Sequence, residues 1–212
     1  MQSNQRLALV FDVGNVLLEW DPRFLYRKLF AGDEEAMERF LAEIDFFAWN
    51  LHQDRGRSFA EGVAEACRQF PQYCELIRLY DERYEETLSG PIAGVVEILE
   101  ALHNAGHPLF ALSNWSAEKF HLVRPHYPFF DCFQTIIISG EVGLAKPDVR
   151  IFRLAQEKIK RQPGDCLLID DSLKNCQAAA SLGFQIINFQ SPEQLRQALA
   201  QYGIVMPKAS QA

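Results

Sequence analysis

The 212-residue sequence predicts an α/β fold built on a parallel β-sheet. From about residue 91 onward, short apolar runs typical of buried strands alternate with segments of helical periodicity, a pattern typical of parallel sheets. A first apolar run at residues 7–11 is followed directly by Asp12, where such a strand would end and a loop begin. Between these two parts, the periodicity is helical only. We therefore predict a Rossmann-like, doubly wound parallel sheet with a small α-helical segment of roughly 70 residues inserted after the first strand.

Composition and charge are those of an ordinary globular protein, with 48% hydrophobic and 23% charged residues. Acidic residues outnumber basic ones by 28 to 21, and the net charge of -7 argues against nucleic acid or an anionic membrane as the main partner. No apolar run approaches the roughly 20 residues of a membrane span, and no signal-peptide cleavage site is apparent. We expect a cytoplasmic location, and the sequence indicates no obligate protein partner.

The five cysteines are odd in number, scattered along the chain and never spaced as a CxxC pair. This pattern predicts reduced core thiols rather than a disulfide framework or a zinc site. The cysteines are Cys67, Cys74, Cys132, Cys166 and Cys176.

The inserted segment contains three apolar stripes at helical spacing, within residues 37–44, 59–70 and 77–88. Asp33 and Ser58 occupy N-cap positions before the first two stripes, and a shorter helix is predicted at about residues 24–30, after Pro22. We predict three or four helices with no strand between them. Residues 52–56 are expected to lie between helices, with Gly56 in a tight turn.

Four more strands are predicted at residues 108–112, 135–138, 166–169 and 185–189. They alternate with helices predicted at residues 92–104, 117–123, 149–160, 173–182 and from Ser191 onward. The crossovers should be right-handed. The predicted domains are an α/β core at residues 1–17 and 89–206, a helical insert at residues 18–88, and a polar tail at residues 207–212.

Polar residues follow the ends of four predicted strands. In chain order they are Asp12, the pair Ser113 and Asn114, Lys146, and the pair Asp170 and Asp171. The ligand crevice of a doubly wound sheet lies beyond the carboxyl ends of its strands. We therefore expect these side chains to converge on one face of the protein.

These residue types suit phosphoryl transfer through an acyl phosphate. Asp12 is ionised at neutral pH and can attack phosphorus once its repulsion with the phosphate dianion is removed. Mg²⁺ removes that repulsion and prefers oxygen ligands. Suitable oxygens are those of Asp12, the Gly14 carbonyl, Asp170 and Asp171. Lys146 would neutralise Asp12 and the phosphoryl oxygens, which the Ser113 hydroxyl would bind by hydrogen bonding.

Four motifs, in this order, resemble those of the haloacid dehalogenase-like (HAD) hydrolase superfamily. They are FDVGNVL at residues 11–17, LSN at 112–114, GLAKPD at 143–148 and LIDDS at 168–172 with Asn175 beyond. The resemblance extends from residue 7 to about residue 189. Within the superfamily, the DxGNV opening and the compact insert are similar to glucose-1-phosphatase-type sugar-phosphate phosphatases with a helical cap.

The resemblance implies a role for each motif residue. It implies that Asp12 is the nucleophile and that Ser113 and Lys146 hold the phosphate, with Asn114 beside them. Asp171, with Asp170 close by, is implied to bind the metal, which is Mg²⁺ in such phosphatases. The insert is implied to be a cap that closes over the site, and His52 and Arg55 of the cap are further candidates for substrate contact.

Gly14 departs from the superfamily pattern. Most phosphatases of this superfamily carry a second aspartate at that position, which serves as general acid and then as general base. Glycine has no proton to give, and losing such a group costs on the order of 10²- to 10⁴-fold in rate. Candidate replacements are Glu19, Asp21, His52 and Asp54. Unless the leaving group needs little help, slow turnover on simple phosphomonoesters is expected.

Three functions are open at this point, of which the first is favoured. It is a Mg²⁺-dependent phosphatase acting on a small phosphorylated metabolite, with a sugar phosphate as one candidate. The second is a metal-independent 2-haloacid dehalogenase, whose relatives generally lack the paired acids after the fourth strand and usually have tyrosine where Gly14 stands. The third is a non-catalytic binding or regulatory protein, against which the retained carboxylates argue, because their mutual repulsion is costly without a cation.

Overall fold

The computed structural model describes residues 6–205, so the predicted polar tail at residues 207–212 lies outside the described part of the chain. Seven strands occur in residues 6–205: β1 (Ala8–Phe11), β2 (Leu18–Trp20), β3 (Leu88–Pro91), β4 (Leu109–Ser113), β5 (Thr135–Ile138), β6 (Cys166–Asp170) and β7 (Gln185–Asn188).

Eleven α-helices occur in the same residues: α1 (Arg23–Leu29), α2 (Glu34–Glu43), α3 (Phe46–Asp54), α4 (Phe59–Gln69), α5 (Cys74–Glu82), α6 (Ala93–Asn104), α7 (Ala117–Val123), α8 (Ser139–Val142), α9 (Val149–Ile159), α10 (Leu173–Ala180) and α11 (Pro192–Gln201). None of these helices is long and apolar enough to cross a membrane.

Five strands form one parallel sheet in the order β5-β4-β1-β6-β7. The first strand lies at the centre, and the chain adds β4 and β5 on one side before it adds β6 and β7 on the other. Such a reversal of direction creates a crevice at the carboxyl ends of the central strands. The α/β, doubly wound fold class is therefore confirmed.

Both faces of this sheet are buried, as its nearly continuous apolar strands require. Leu9 and Phe11 of β1 point to one face, and Ala8 and Val10 point to the other. Helices α6 and α11 pack on the first face, and α9 and α10 pack on the second. The result is a helix-sheet-helix sandwich that holds the ends of β1, β4 and β6 in fixed register.

The inserted segment contains five helices, α1 to α5, where three or four were predicted. The additional helix is α3, where Phe46, Phe47 and Trp49 fall within four residues and give no single apolar stripe. The prediction that residues 52–56 lie between helices is wrong, because residues 52–54 form the last turn of α3. Gly56 follows in a left-handed turn with φ of 98°, as predicted.

Two short strands, β2 and β3, were not predicted. They pair antiparallel at the two ends of the helical segment. At three and four residues, they are too short to show a period of two in the sequence. They lie at the predicted domain boundaries, residues 17/18 and 88/89, and the division into two domains stays a prediction.

The helical segment contains a disulfide between Cys67 and Cys74. The prediction of a reduced thiol is wrong for both residues. A 3₁₀ turn at Pro71–Tyr73 reverses the chain between α4 and α5 and brings the two cysteines together. The spacing of the cysteines in the sequence does not reveal this proximity. Cys132, Cys166 and Cys176 have free thiols, as predicted.

A buried lysine joins the inserted segment to the core. The Nζ of Lys119 on α7 donates to the carbonyl of Asp81 on α5 at 2.8 Å and also bonds its carboxylate. The same ammonium lies 4.4 Å from the centre of the Phe59 ring. The carboxylate of Glu118 accepts a hydrogen bond of 3.1 Å from the Phe59 N–H. These contacts hold α4 and α5 against α7.

We predict that Lys119→Met lowers the free energy of unfolding by about 1–3 kcal/mol, because it removes hydrogen bonds between charged groups from a largely buried site. Urea titration measures this change. Lys174→Met, at an exposed position on α10, is the matched control and should stay within about 0.5 kcal/mol of wild type. Equal stability of the two variants would contradict a bridging role for Lys119.

Candidate active site

The structure brings the predicted polar residues together at the carboxyl end of the sheet. Asp12 follows β1, Ser113 ends β4 and Asp170 ends β6. The Asp12 N–H donates to the Ile169 carbonyl at 2.8 Å, so the chain beyond β1 remains attached to β6. Lys146 reaches the same place from the loop after α8, a helix that ends at Gly143 in the left-handed conformation.

Lys146 is the centre of this cluster. Its side chain is buried, and Nζ lies 2.9 Å from Asp12 Oδ2 and 2.6 Å from Asp170 Oδ2. Nζ also donates to the Leu112 carbonyl at 2.9 Å. The ammonium thus has three oxygen partners, which satisfies its three N–H donors.

Asp170 is fixed from several sides. Its Oδ1 accepts a hydrogen bond from the Ser172 N–H and one from Asn175 Nδ2, each at 2.9 Å. Its Oδ2 accepts from Lys146, and the side chain is fully buried. Asp171 is exposed at the same edge. Asp170 is therefore held mainly as the partner of Lys146, whereas Asp171 is free to bind a ligand.

The cluster fits a divalent cation. One oxygen from each of Asp12, Asp170 and Asp171 lies within 4.8 Å of the other two. Three carboxylates face one ammonium, so the fully ionised cluster carries two excess negative charges. Closely spaced carboxylate oxygens are the ligand type that Mg²⁺ prefers.

Burial and charge oppose each other at Asp12. Burial raises the pKa of Asp12 to about 7, although Lys146 acts to lower it and Asp170 adds to the rise. Burial also disfavours the ammonium of Lys146, but its ion pairs with Asp12 and Asp170 outweigh that effect and raise its pKa. Lys146 therefore stays protonated. Asp12, in contrast, is not fully ionised at neutral pH as the sequence predicted, and a cation beside Asp12 would favour the ionised form of its carboxyl.

Asn114 positions Lys146. Its Oδ1 accepts from the Lys146 N–H and its Nδ2 donates to the Lys146 carbonyl, both at 2.8 Å. These bonds occupy both ends of the amide, so substrate binding by Asn114 stays a prediction. Ser113, which is 1% exposed, lines the pocket beside it.

A pocket opens between the core and the helical segment. The core contributes Gly14, Ser113, Asn114 and Trp115, and the segment with its flanking strands contributes Leu18, Trp20, Asn50, Asp54, Tyr84 and Leu88. Its lining is mostly apolar and aromatic, with a few polar groups near the strand ends. Such a lining is typical of sites for small organic ligands.

Two predicted substrate contacts are not in this pocket. His52 and Arg55 have exposed side chains and are not among its lining residues. His52 borders a separate surface depression with Trp49 and Arg57. Residues four apart share one face of a helix, so the face of α3 that meets the pocket carries Asn50 and Asp54.

Asp54 is the acidic residue of the helical segment that faces the pocket. It is partly buried, and Asn50 Nδ2 donates to its Oδ2 at 3.2 Å. The side-chain Oδ1 of Asn50 in turn accepts from the Tyr80 hydroxyl at 3.0 Å. Burial raises the pKa of Asp54 to about 7, opposed by a hydrogen bond from the Ser116 backbone. From the sequence, Asp54 was only one of four candidate replacements for the general acid that is missing at Gly14.

The model of the haloacid dehalogenase-like hydrolase family matches residues 7–183 of the chain. The protein belongs to this family. The predicted superfamily membership is therefore confirmed, and the protein is a hydrolase.

Two curated relatives and one solved structure show what this HAD-like hydrolase is similar to. It is 24% identical over 182 residues to the sesquiterpene phosphatase AstK of Aspergillus oryzae, covering 83% of the chain and 86% of the relative. It is 26% identical over 204 residues to the drimenol cyclase DrtB of Aspergillus calidoustus, but this match covers 91% of the chain and only 35% of the relative. The chain thus spans about a third of DrtB.

The structure of the HAD family enzyme BT-2542 from Bacteroides thetaiotaomicron, in complex with magnesium and inorganic phosphate, superposes with a TM-score of 0.68 at 24% identity. The match covers 88% of this chain and 95% of that chain. At this level of identity, the likeness supports the fold alone.

We predict that the stability of the HAD-like hydrolase falls as the pH rises from about 4 to about 7, partly because of Asp54. Its pKa is about 7 in the folded state and near 4 in the unfolded chain, so the folded state holds the extra proton between these values. Asp54→Asn should become more stable relative to wild type between pH 5 and 7, by up to about 1.4 kcal/mol per pH unit.

Urea titrations at a series of pH values measure this difference. The exposed Asp45, at the opposite end of α3, offers the matched control Asp45→Asn, which should follow the wild-type pH profile. A wild-type profile for Asp54→Asn as well would show that Asp54 titrates normally.

Proposed function

We propose that this hydrolase is a Mg²⁺-dependent phosphomonoester phosphatase that forms an aspartyl-phosphate at Asp12. The observation that carries the proposal is the arrangement of one buried ammonium, Lys146, among the carboxylates of Asp12, Asp170 and Asp171. In this proposal, Asp12 is the nucleophile, Lys146 supplies a fixed positive charge, and the carboxylate oxygens at the same edge of the sheet supply metal ligands. The likeness to a sesquiterpene phosphatase supports the same reaction.

In this proposal, each residue of the cluster has a separate role in phosphoryl transfer. Asp12 Oδ1 already accepts a hydrogen bond of 2.7 Å from the Val13 N–H, and Oδ2 faces Lys146. The Ser113 hydroxyl binds the phosphoryl oxygens by hydrogen bonding, and the positive charge of Lys146 neutralises their charge in the transition state. Asp170 and Asn114 position Lys146 from its two ends.

The metal ligands in this proposal are Asp12, the Gly14 carbonyl and Asp171, with Asp170 adding negative charge behind them. When bound, Mg²⁺ would neutralise the phosphate and remove its repulsion from Asp12. Asp171 is suited to the role, because its side chain is exposed at the same edge, whereas hydrogen bonds hold the Asp170 carboxylate toward Lys146 and Asn175.

The pocket favours a small phosphorylated metabolite as the substrate. The ring systems of Trp20, Tyr84 and Trp115 would contact the organic part of the substrate, with Asn50 and Asp54 as polar contacts. A sugar phosphate, which combines a compact ring with hydroxyl groups, is a candidate.

The dehalogenase is the second candidate function, and the family name itself covers it. It would use Asp12 to displace halide from carbon without a metal. The excess negative charge at Asp12, Asp170 and Asp171 favours the metal-dependent phosphatase, because a reaction without a cation leaves that charge uncompensated. The same argument stands against a non-catalytic role.

We predict that the protein hydrolyses p-nitrophenyl phosphate with Mg²⁺ and loses this activity in EDTA. Asp12→Asn should lower kcat/KM on the order of 10³-fold or more, because the amide is a poor nucleophile. Release of p-nitrophenol measures both effects. Asp131→Asn, which removes a carboxylate that is 81% exposed, is the control and should retain wild-type activity.

Activity that is indifferent to Mg²⁺, or that survives Asp12→Asn, would rule out this mechanism. Halide release from 2-chloropropionate without phosphatase activity would instead establish the dehalogenase.

A further inference from the structure

Phosphomonoester hydrolysis by Asp12 needs a group that moves two protons. The leaving oxygen has to be protonated when its bond to phosphorus breaks, and the attacking water has to be deprotonated later. Asp12 itself is the nucleophile, and Gly14 has no side chain to donate. Another residue of the pocket must serve, and this inference rests on the proposed phosphatase function.

The other ionisable groups near the strand ends are committed elsewhere. Lys146 and Asp170 are bonded to each other in the buried cluster, and Asp171 is a proposed metal ligand. Tyr84 lines the pocket, but burial raises its pKa well above the ordinary value, which makes it a weak acid.

The remaining candidates from the sequence are also unsuited. The Glu19 carboxylate is bonded to the Ser89 hydroxyl between β2 and β3. Asp21 accepts a hydrogen bond of 2.8 Å from the Arg23 N–H at the start of α1. His52 is exposed and outside the pocket lining. Asp54, in contrast, lines the pocket together with Gly14 and Ser113.

Contacts of α3 and of the turn after it hold Asp54 in place. A Cβ atom on Gly56 would lie 3.1 Å from the Gly140 carbonyl oxygen, so the turn after α3 packs directly on the backbone of α8. In addition, Tyr80 orients Asn50, and Asn50 donates to Asp54 Oδ2. A carboxyl held in this way can present a proton to the pocket at a defined position.

We infer that Asp54, supplied by the helical segment, is the general acid and general base of this phosphatase. Its carboxyl contacts the leaving-group oxygen in the first half-reaction and the attacking water in the second.

The two steps balance as follows. An Asp12 oxygen forms a bond to phosphorus, the bond from phosphorus to the leaving oxygen breaks with its electron pair, and that oxygen takes the Asp54 proton. In the second step, water attacks phosphorus and gives a proton to the Asp54 carboxylate. The bond between phosphorus and Asp12 breaks with its electron pair. This step releases inorganic phosphate and regenerates ionised Asp12 and protonated Asp54.

The surroundings of Asp54 support this use. Burial raises its pKa to about 7, which lets both forms of the carboxyl exist near neutral pH. The titratable groups that face it, Tyr80 and Tyr84, have pKa values well above their ordinary range and stay neutral there. The sequence predicts slow turnover because Gly14 cannot donate a proton. If Asp54 donates it instead, slow turnover is expected of the Asp54→Asn variant and not of the wild type.

Rapid-mixing kinetics with two substrates in Mg²⁺ test this assignment. p-Nitrophenolate leaves as a stable anion, whereas the alkoxide of glycerol 3-phosphate needs a proton. For Asp54→Asn, the rate of enzyme phosphorylation should fall about 10²- to 10⁴-fold with glycerol 3-phosphate but stay within about threefold with p-nitrophenyl phosphate.

The second half-reaction gives an independent readout. Without its base, Asp54→Asn should release a burst of p-nitrophenol equal to the enzyme concentration and then turn over about 10²- to 10⁴-fold more slowly than wild type. Acid-quenched enzyme should carry a phosphoryl group in the same period. A residue with a merely structural role would not produce a burst.

Matched variants complete the test. Asp45→Asn, at the other end of α3, should behave as wild type in both measurements. Glu19→Gln and Asp21→Asn test the two rival carboxylates, and a burst in either one would overturn the assignment to Asp54.

An equal loss of phosphorylation with both substrates, or a rise in KM alone, would also overturn the assignment and make Asp54 a binding residue. Failure of the proposed function looks different, because wild type itself would then show no Mg²⁺-dependent release of p-nitrophenol.

Discussion

The contact between Lys146 and its two carboxylates is the constraint on which the rest of this structure depends. Asp12 and Asp170 are almost fully buried, and burying ionised carboxylates is strongly unfavourable unless a cation pairs with them. The ammonium lies within 3 Å of both, and it is held by the Leu112 carbonyl and by Asn114. The five-stranded sheet fixes the strand ends from which these partners come. The fold thus assembles one positive charge and several negative ones at a single edge.

The strands of the sheet and the polar residues at their ends could largely be predicted from the sequence, because each strand end is marked by residues that are adjacent in the chain. An apolar run followed by a polar residue marks a strand end, and four such ends in an α/β pattern determine where Asp12, Ser113 and Asp170 meet. The bounds of the five parallel strands differ from the predicted bounds by at most one residue at either end. The role of Asp170 as the anchor of Lys146 could not be predicted, because Asp170 and Asp171 are adjacent and only the packing shows which one faces inward.

The helical segment was predicted less well for a different physical reason. Its helices were found from apolar stripes, but α3 has aromatic residues on more than one face and its polar residues depend on how the helix rotates. That rotation places Asp54 and Asn50 in the pocket and leaves His52 and Arg55 at the surface. The pairing of β2 with β3 and the Cys67–Cys74 disulfide likewise come from tertiary contacts. Sequence motifs therefore identify the polar residues of the core. The pocket residues of the helical segment are identified only by the structure.

The central claim is that Asp12 becomes covalently phosphorylated, and the most direct measurement is to identify the modified residue. Enzyme mixed with Mg²⁺ and an excess of substrate is quenched in acid, digested and analysed by mass spectrometry. We predict a phosphoryl group on the peptide that contains Asp12, which hydroxylamine removes as expected for an acyl phosphate and which Asp12→Asn abolishes. A phosphoryl group on another residue, or Mg²⁺-dependent turnover with no covalent intermediate in any variant, would contradict the account.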